Sequence, residues 1–531
     1  MHNLESIMNL LNGPHGPAIF AGLRRGFFVC LALAVLALLF AARPPAKGHF
    51  RLLAFGFWLT LLAVLGYQAS WQLAGFRQPE FVRFMRFHDP RPEAAVRQIQ
   101  RGQITDWRGT VLARSLSSDP WQRIYPMGPA VCHVVGYVNP IYGMSGVERV
   151  ADATLCGYSF SNLTDIDRFG RNLLNHHVAS GSDVRLTIDA ELQYSAYKLM
   201  NGKRGAVVVL RPKDGAVLCL VSVPAFDPAN PGAALADTAG TPLLNRATQG
   251  RYPPGSTFKI LIAGLAAEKK IAPQFFCSGD GFVPAPGEKP IRDSEYYSYL
   301  REGRDWQGHG RIGLTQAFAH SSNVYFSQLG VELGAMPLND LAERCLITMH
   351  LPYYDGPTGA LKSEAGTMPV IGPKAREAMA QTAIGQGNVL VTPLHMAVWT
   401  AAVADEGMMW RPRLRDTEAP IQLGLLMSPT AAETVKGLMR ETVLHGTGRP
   451  ANIKGLNVCG KTGTAEAPSG DDHAWFTCFA PAAKPEIVVT VIVENGGYGS
   501  KAAAPIARAV LEEAVDLGLV GTDAREDAPA Q

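Results

Sequence analysis

The chain has 531 residues, 47% of them apolar and only 18% charged. It is too long for one hydrophobic core, and its low charge content points to a membrane segment or a large buried interior. A formal net charge of +3 over that length gives no basis for nucleic-acid binding. The eight cysteines are scattered without a C-x-x-C pair, which excludes zinc ribbons and thioredoxin-type sites; a Cys132–Cys156 disulfide is open to an exported domain, but nothing in the sequence requires one.

Residues 26–42 (GFFVCLALAVLALLFAA) and 52–69 (LLAFGFWLTLLAVLGYQA) carry no charge. Each is roughly 17–18 residues long, the short end of what spans a bilayer. They predict a helical hairpin that makes residues 1–70 an N-terminal membrane anchor. Arg43, Lys47 and Arg51 place the loop between them in the cytoplasm by the positive-inside rule. Arg24 and Arg25 on one side, and Arg77, Arg83 and Arg86 on the other, oppose that orientation, so charge leaves it open.

Residues 71–180 read as a β-rich module of short apolar runs broken by glycine. RGQITDWRGTVLA (101–113), RIYPMGPAVCHVVGYV (123–138) and GMSGVER (143–149) carry no nucleophile or ligand cluster and read as turns between strands. From residue 182 the pattern passes from strand-like alternation to a helix with Leu192, Ala196 and Leu199 on one face. GAVVVL (205–210) and GAVLCLVSV (215–223) are two strands joined by a turn at Arg211-Pro212-Lys213-Asp214. A long helical middle follows, from Ser256 to about Gly407, broken by glycine loops. Strands return at HAWFTCFA (473–480) and EIVVTVIVEN (486–495), then a helix over 502–519 and a polar tail over 522–531. Strands at both ends with helices between predict an α+β (mixed) domain over 181–521, its sheet built from both termini.

GLNVCGKTGTAE (455–466) satisfies two patterns at once. Gly455, Gly460, Lys461 and Thr462 fit a phosphate-binding loop, which needs a strand running into Gly455 and a helix opening at Lys461. A polar loop precedes Gly455, and TGTAEAPSGDD, with two glycines and a proline, cannot begin a helix. Leu456 and Val458 alternate instead, as in a strand running through the motif. The overlapping Lys461-Thr462-Gly463 closes a trio that marks acyl-serine enzymes. Its first member is Ser256, behind Pro253-Pro254-Gly255 and three residues before Lys259, so both lie on one face at the start of a helix. A serine hydroxyl needs a base, and a lysine serves if burial beside a helix N-terminus lowers its pKa. The second member is Ser321-Ser322-Asn323. Ser321 can relay a proton to a leaving amine, and the Asn323 amide can bond a peptide carbonyl while orienting Lys259. Lys461 is expected to supply a fixed positive charge, and Thr462 and Thr464 to bind a terminal carboxylate. If 461–466 is an edge strand, an extended peptide can pair along it past Gly463. Each motif alone is weak; the three in this order are not.

On these motifs, residues of about 100–510 resemble a class B penicillin-binding protein. The resemblance extends to LTIDAELQ (186–193), NRATQGRYPPGSTFK (245–259), GHG (308–310), AIGQGNVLVTPLHMA (383–397) and HAWFTCFAP (473–481), and RGQITDWRGTVLA and GMSGVER resemble that family's membrane-proximal pedestal. It implies a penicillin-binding/transpeptidase fold, with a central, mainly antiparallel sheet flanked by helices. It implies a peptidoglycan stem peptide ending in D-Ala-D-Ala as substrate, an oxyanion hole from the backbone N–H groups of Ser256 and Thr464, acylation of Ser256 by β-lactams, no cofactor and no metal. It further implies that the catalytic domain lies outside the cytoplasmic (inner) membrane of a bacterium and acts with a SEDS-family glycosyltransferase. This chain departs in having two hydrophobic segments where the family usually has one, and Ser322 where many relatives have cysteine. Ser322 is expected to point away from the chemistry in a helical turn. A D,D-carboxypeptidase on the same scaffold and a non-catalytic β-lactam sensor stay open as alternatives.

Overall fold

The computed structural model describes residues 47–74, 100–116, 122–157, 181–467 and 469–521, in two units, residues 1–95 and 96–531. In the first, Lys47 and Arg51 do not lie in a loop: helix α1 runs over Lys47–Ala74. The Thr60 hydroxyl donates back to Gly56 O at 2.8 Å, which satisfies it inside an apolar helix. Phe55, Phe57, Trp58, Leu59, Leu62 and Leu65 are exposed. Among the described residues no helix is long and apolar enough to cross a membrane. The expected segment 26–42 and the tail 522–531 fall outside the described residues.

The second unit begins with a small four-stranded sheet made of Ile104–Thr105, Val111–Ser115, Arg123–Ile124 and Val184–Arg185. The last of these pairs in parallel with the first, so the sheet draws on residues either side of position 181. The stretches read as plain turns surround a buried ion cluster. Glu148 receives Arg101 at 2.9 Å and Arg123 at 2.7 Å, and Arg101 also reaches Asp152 at 2.5 Å. The Cys156 thiol accepts from Arg101 at 3.0 Å, whereas Cys132 lies against His133. Both thiols are free and buried, so the bridge left open by the sequence is not formed.

Beyond this sheet, Asp189 caps helix α2 (Ala190–Leu199) by accepting from Leu192 N at 3.1 Å. Strands β1 (Gly205–Leu210) and β2 (Val217–Val223) form the expected hairpin. The helical middle holds α3 (Lys259–Glu268), α4 (Ser294–Arg301), α5 (Leu314–His320), α6 (Asn323–Leu333) and α7 (Pro393–Ala404), with α8 (Pro429–Leu444) after it. It is interrupted by two short antiparallel strand pairs that the sequence did not announce, Phe275–Ser278 with Gly308–Ile312, which flank α4, and the hairpin Pro352–Gly356 with Gly359–Lys362. Strands of four or five residues are too short to show a period of two. The chain then adds β3 (Cys459–Ala465), β4 (His473–Ala480), β5 (Ile487–Val493) and helix α9 (Ala504–Asp516).

The five strands make one antiparallel sheet in the order β3-β4-β5-β1-β2. Both faces are buried, so the strands read as nearly continuous apolar runs, and alternate residues enter two separate cores. Ala206, Val208, Trp475, Phe479 and Ile492 face one core with Ile260 of α3 and Trp399 of α7. Val207, Val209, Phe476, Val489 and Val491 face the other, with Leu192 of α2 and Val510 of α9. The polar groups placed among these side chains are mutually satisfied: the hydroxyls of Thr400, Thr477 and Thr490 form a chain with steps of 2.7 Å. β3 lies at the sheet's edge, and the start of α3 faces it.

Candidate active site

Pro253-Pro254-Gly255 delivers Ser256 into a 3₁₀ turn (Gly255–Phe258), and α3 begins only at Lys259. The first turn is therefore tighter than the α-helical turn expected. In a 3₁₀ turn residues three apart eclipse, which brings Ser256 Oγ to 2.9 Å from Lys259 Nζ. Trp475 Nε1 donates to Pro253 O at 3.0 Å and Gly255 N to Gly385 O at 3.0 Å, fixing the turn from two sides. Gly255 has φ +52, and a Cβ there would meet Thr464 O at 2.4 Å. A Cβ on Gly463 would meet Thr257 Cγ2 and Trp475 Cβ at 2.9 Å. Two glycines thus let the backbone of the nucleophile turn lie directly against β3.

Lys259 is fully buried. Its amine donates to Ser256 Oγ, to Ser321 O at 2.7 Å and to Asn323 Oδ1 at 2.8 Å, with Ser321 Oγ at 3.5 Å. The Phe326 ring lies 5.4 Å away. Burial pushes this amine down to about 7, against the upward pull of Asp293 and Glu295. Near neutral pH a large share of the lysine is therefore an unprotonated amine touching the serine hydroxyl.

Ser321, Asn323 and Lys461 all join this group. Ser321 ends α5 in the left-handed conformation, φ 62 and ψ 35, which turns its side chain and carbonyl into the cleft. Lys461 Nζ donates to Ser321 Oγ at 2.8 Å and to Thr462 O at 3.1 Å, with the Phe318 ring 5.5 Å away. Burial first, and then the neighbouring Lys259, hold the Lys461 amine well below its ordinary value. Both influences oppose the charged form that the sequence leads one to expect of Lys461. Two amines sharing one hydroxyl in an apolar pocket cannot both stay protonated without a counter-charge. Ser322 also differs from expectation. It sits between two helices, not within a helical turn, and caps α6 by accepting from Tyr325 N at 3.1 Å. Its side chain does point away from Lys259, towards Asp293 at 3.0 Å.

Thr462 Oγ1 lies 2.5 Å from Thr447 Oγ1, and Thr447 N donates to Ala319 O at 3.1 Å. Thr464, half-buried, stands opposite Gly255 on β3. Sequence reasoning missed Thr447 and Asp293. Thr447 sits in HGTGRP, a stretch legible only as a polar loop. Asp293 begins Asp-Ser-Glu, which signals a local helix cap, and its side chain serves a different helix.

Residues 205–512 match the family model described as the penicillin binding protein transpeptidase domain. Residues 101–183 match that described as the penicillin binding protein A dimerisation domain. The chain is similar to the peptidoglycan D,D-transpeptidase PbpA of Mycolicibacterium smegmatis, 34% identical over 468 residues, or 79% of this chain and 90% of that one. It is also similar to the peptidoglycan D,D-transpeptidase MrdA of Haemophilus influenzae, 30% identical over 498 residues, 80% of this chain and 73% of that one. Among solved structures, penicillin-binding protein A from Mycobacterium tuberculosis, as its ceftriaxone acyl-enzyme complex, shares its fold with a TM-score of 0.70 at 30% identity, covering 79% of this chain and 99% of that one.

Proposed function

This chain belongs to the penicillin-binding protein transpeptidase family, and from that premise we propose how it works: it is a peptidoglycan D,D-transpeptidase in which Ser256 is the acylated nucleophile. The observation that carries this reading is the 2.9 Å contact between Ser256 Oγ and a buried Lys259 amine whose pKa lies at about 7. Neutral Lys259 takes the Ser256 proton as Oγ attacks the penultimate D-Ala carbonyl. The oxyanion is held by the N–H groups of Ser256 and Thr464. Asn323 keeps Lys259 in place and bonds the peptide, which lies along the open edge of β3 past Gly463. The C–N bond breaks as the proton passes from Lys259 through Ser321 to the departing D-Ala nitrogen. An amine from a second stem then attacks the ester, its proton leaving by the same route in reverse. Thr462 and Thr464 take the substrate's terminal carboxylate, which brings the counter-charge that lets Lys461 hold a proton. A β-lactam, closing the same ester without a departing amine, stays attached.

Membrane attachment through residues 1–70, with the catalytic unit on the outer face of the cytoplasmic membrane beside a SEDS-family glycosyltransferase, completes the proposal. Support comes from the uncharged stretches at 26–42 and 52–69 and from the exposed apolar side chains of α1, a density of apolar surface that soluble monomers avoid. A periplasmic reporter fused after Gly521 should be active; activity only in the cytoplasm refutes the topology.

Ser256→Ala should abolish covalent labelling by a fluorescent penicillin while leaving thermal unfolding unchanged, and retained labelling excludes this nucleophile. Purified protein given lipid II and a polymerase should yield cross-linked dimers by mass spectrometry. Trimmed stems alone would make it a carboxypeptidase.

A further inference from the structure

The turn that presents Ser321 and Asn323 is gripped from behind. α5 ends at the left-handed Ser321 and α6 opens at once with Ser322 as its cap, so the first N–H groups of α6 need partners from outside the helix. Tyr325 N finds Ser322 Oγ. Val324 N finds Asp293 Oδ1 at 3.0 Å, a carboxylate 31 positions upstream in sequence. The Ser322 hydroxyl donates to the same carboxylate, at 3.0 and 3.2 Å to its two oxygens. Asn323 Nδ2 donates to the adjoining Arg292 O at 3.1 Å. Asp293 is 2% exposed. It occupies the cap position of α4 but makes no side-chain cap bond there; its acceptors serve α6.

We propose that Asp293 is a positioning residue for acyl transfer: through Ser322 and Val324 it fixes the 321–323 turn so that Ser321 and Asn323 meet Lys259, and its negative charge favours the protonated form of Lys259. This rests on the reading of Lys259 as the base. A helix cap alone would act on stability and nothing else. Asp293 differs because of what faces the cleft. Lys259 comes from α3 and Lys461 from β3, and both amines are fully buried. On the acidic side are Asp293 and, half-buried, Glu295 of α4, and of the two Asp293 has the larger effect on Lys259. His309, from the strand Gly308–Ile312, places Nε2 3.7 Å from Asp293 and 3.8 Å from Glu295, too far for a hydrogen bond. Cys277 opposite has its thiol pushed up to about 11 by burial, so it adds no charge near neutral pH. The strongest negative influence on the base thus belongs to the residue that also orients its partners.

The test is second-order acylation of the full chain by a fluorescent penicillin across pH 5–10, with thermal unfolding measured in parallel. Asp293→Asn should lower the plateau rate per folded molecule roughly 10- to 100-fold, the scale of a small misplacement of reacting groups. It should also move the midpoint of the rising limb to lower pH by about one unit, since loss of the nearby anion makes the ammonium of Lys259 easier to deprotonate. A lowered melting temperature with an unmoved midpoint and a wild-type plateau overturns the proposal. Ser322→Ala, which removes the hydroxyl contacts but keeps the charge, should lower the plateau severalfold with the midpoint unmoved. A wild-type plateau there overturns the orienting role, even if Asp293→Asn does not fold. Lys259→Ala separates the two readings: near wild-type acylation in that variant sinks the base, whereas its inactivity beside a fully wild-type Asp293→Asn sinks only the role of Asp293.

Discussion

The protein buries two clusters of basic side chains, and they are balanced in opposite ways. Around Glu148, burial alone would drive the Arg101 guanidinium down, but Glu148, Cys156 and Asp152 outweigh it and its pKa is raised. In the cleft, no carboxylate touches Lys259 or Lys461 within hydrogen-bond distance among the described residues; hydroxyls, carbonyls and the Asn323 amide do, and both amines are pushed down. A buried cation matched by carboxylates is locked in its charged form and holds structure. One matched by neutral acceptors can lose its proton near neutral pH and take part in chemistry.

The contrast is broken most severely by Lys259→Ala, expected to slow β-lactam acylation by several orders of magnitude, as removal of one member of a catalytic unit does, with little loss of melting temperature. Near wild-type acylation in a stopped-flow assay would mean another base operates. Glu148→Ala should do the reverse. It strands the buried Arg123 guanidinium, leaves Arg101 with Asp152 alone, and should cost about 3–5 kcal/mol, read as a collapse of the unfolding midpoint, while the surviving folded fraction acylates normally. Lys461→Met sharpens the pair, because it removes a buried amine without orphaning a carboxylate: the fold should hold and turnover should be lost. A drop in stability as large as that of Glu148→Ala would erase the distinction.

Acylation should rise with pH through about 7, the value of Lys259, and fall about tenfold per unit below it, because only the neutral amine accepts the serine proton. The stability sign follows from the same depression. Between about 7 and the ordinary 10.5, the unfolded lysine carries a proton that the folded one lacks. Its contribution to stability therefore rises with pH across that window, and the burial penalty is fully present below 7. A flat acylation profile between pH 6 and 8 contradicts the assignment. The smallest expected effect is that of Thr447→Val. Removing the hydroxyl beside Thr462 should raise the KM of a carboxylate-bearing peptide by about 3- to 10-fold, one hydrogen bond's worth, and leave kcat nearly unchanged. An unchanged KM would remove Thr447 from substrate binding.

What the sequence disclosed follows the range of each signal. The strands at 205–210, 473–480 and 487–493 were legible because long apolar runs bounded by turns mark a doubly covered sheet. Ser256, Lys259, Ser321, Asn323 and Lys461 were legible because three short motifs fall in one order, and the structure brings all five into one hydrogen-bonded group. The 3₁₀ geometry of the first turn was hidden, since Pro-Gly before a helix is compatible with either turn. The Glu148 cluster was hidden because its partners lie 25 and 47 residues away in glycine-broken segments with no periodicity. Asp293 was hidden for the same reason, and more thoroughly, because it imitates a local cap. The Lys461 perturbation depends on its burial first and then on the approach of Lys259, and no spacing encodes either.

Gly463 has a consequence for how the enzyme measures its substrate. A slip of β3 by one residue would turn the Thr462 or Thr464 side chain towards Thr257 and Trp475, where even a methyl group has no room. The strand is thereby pinned in one alignment, and any peptide laid along its free edge inherits that alignment. On the binding mode proposed above, the reach from chain end to scissile bond is set by a ruler whose zero mark is a missing side chain, not by the depth of a pocket.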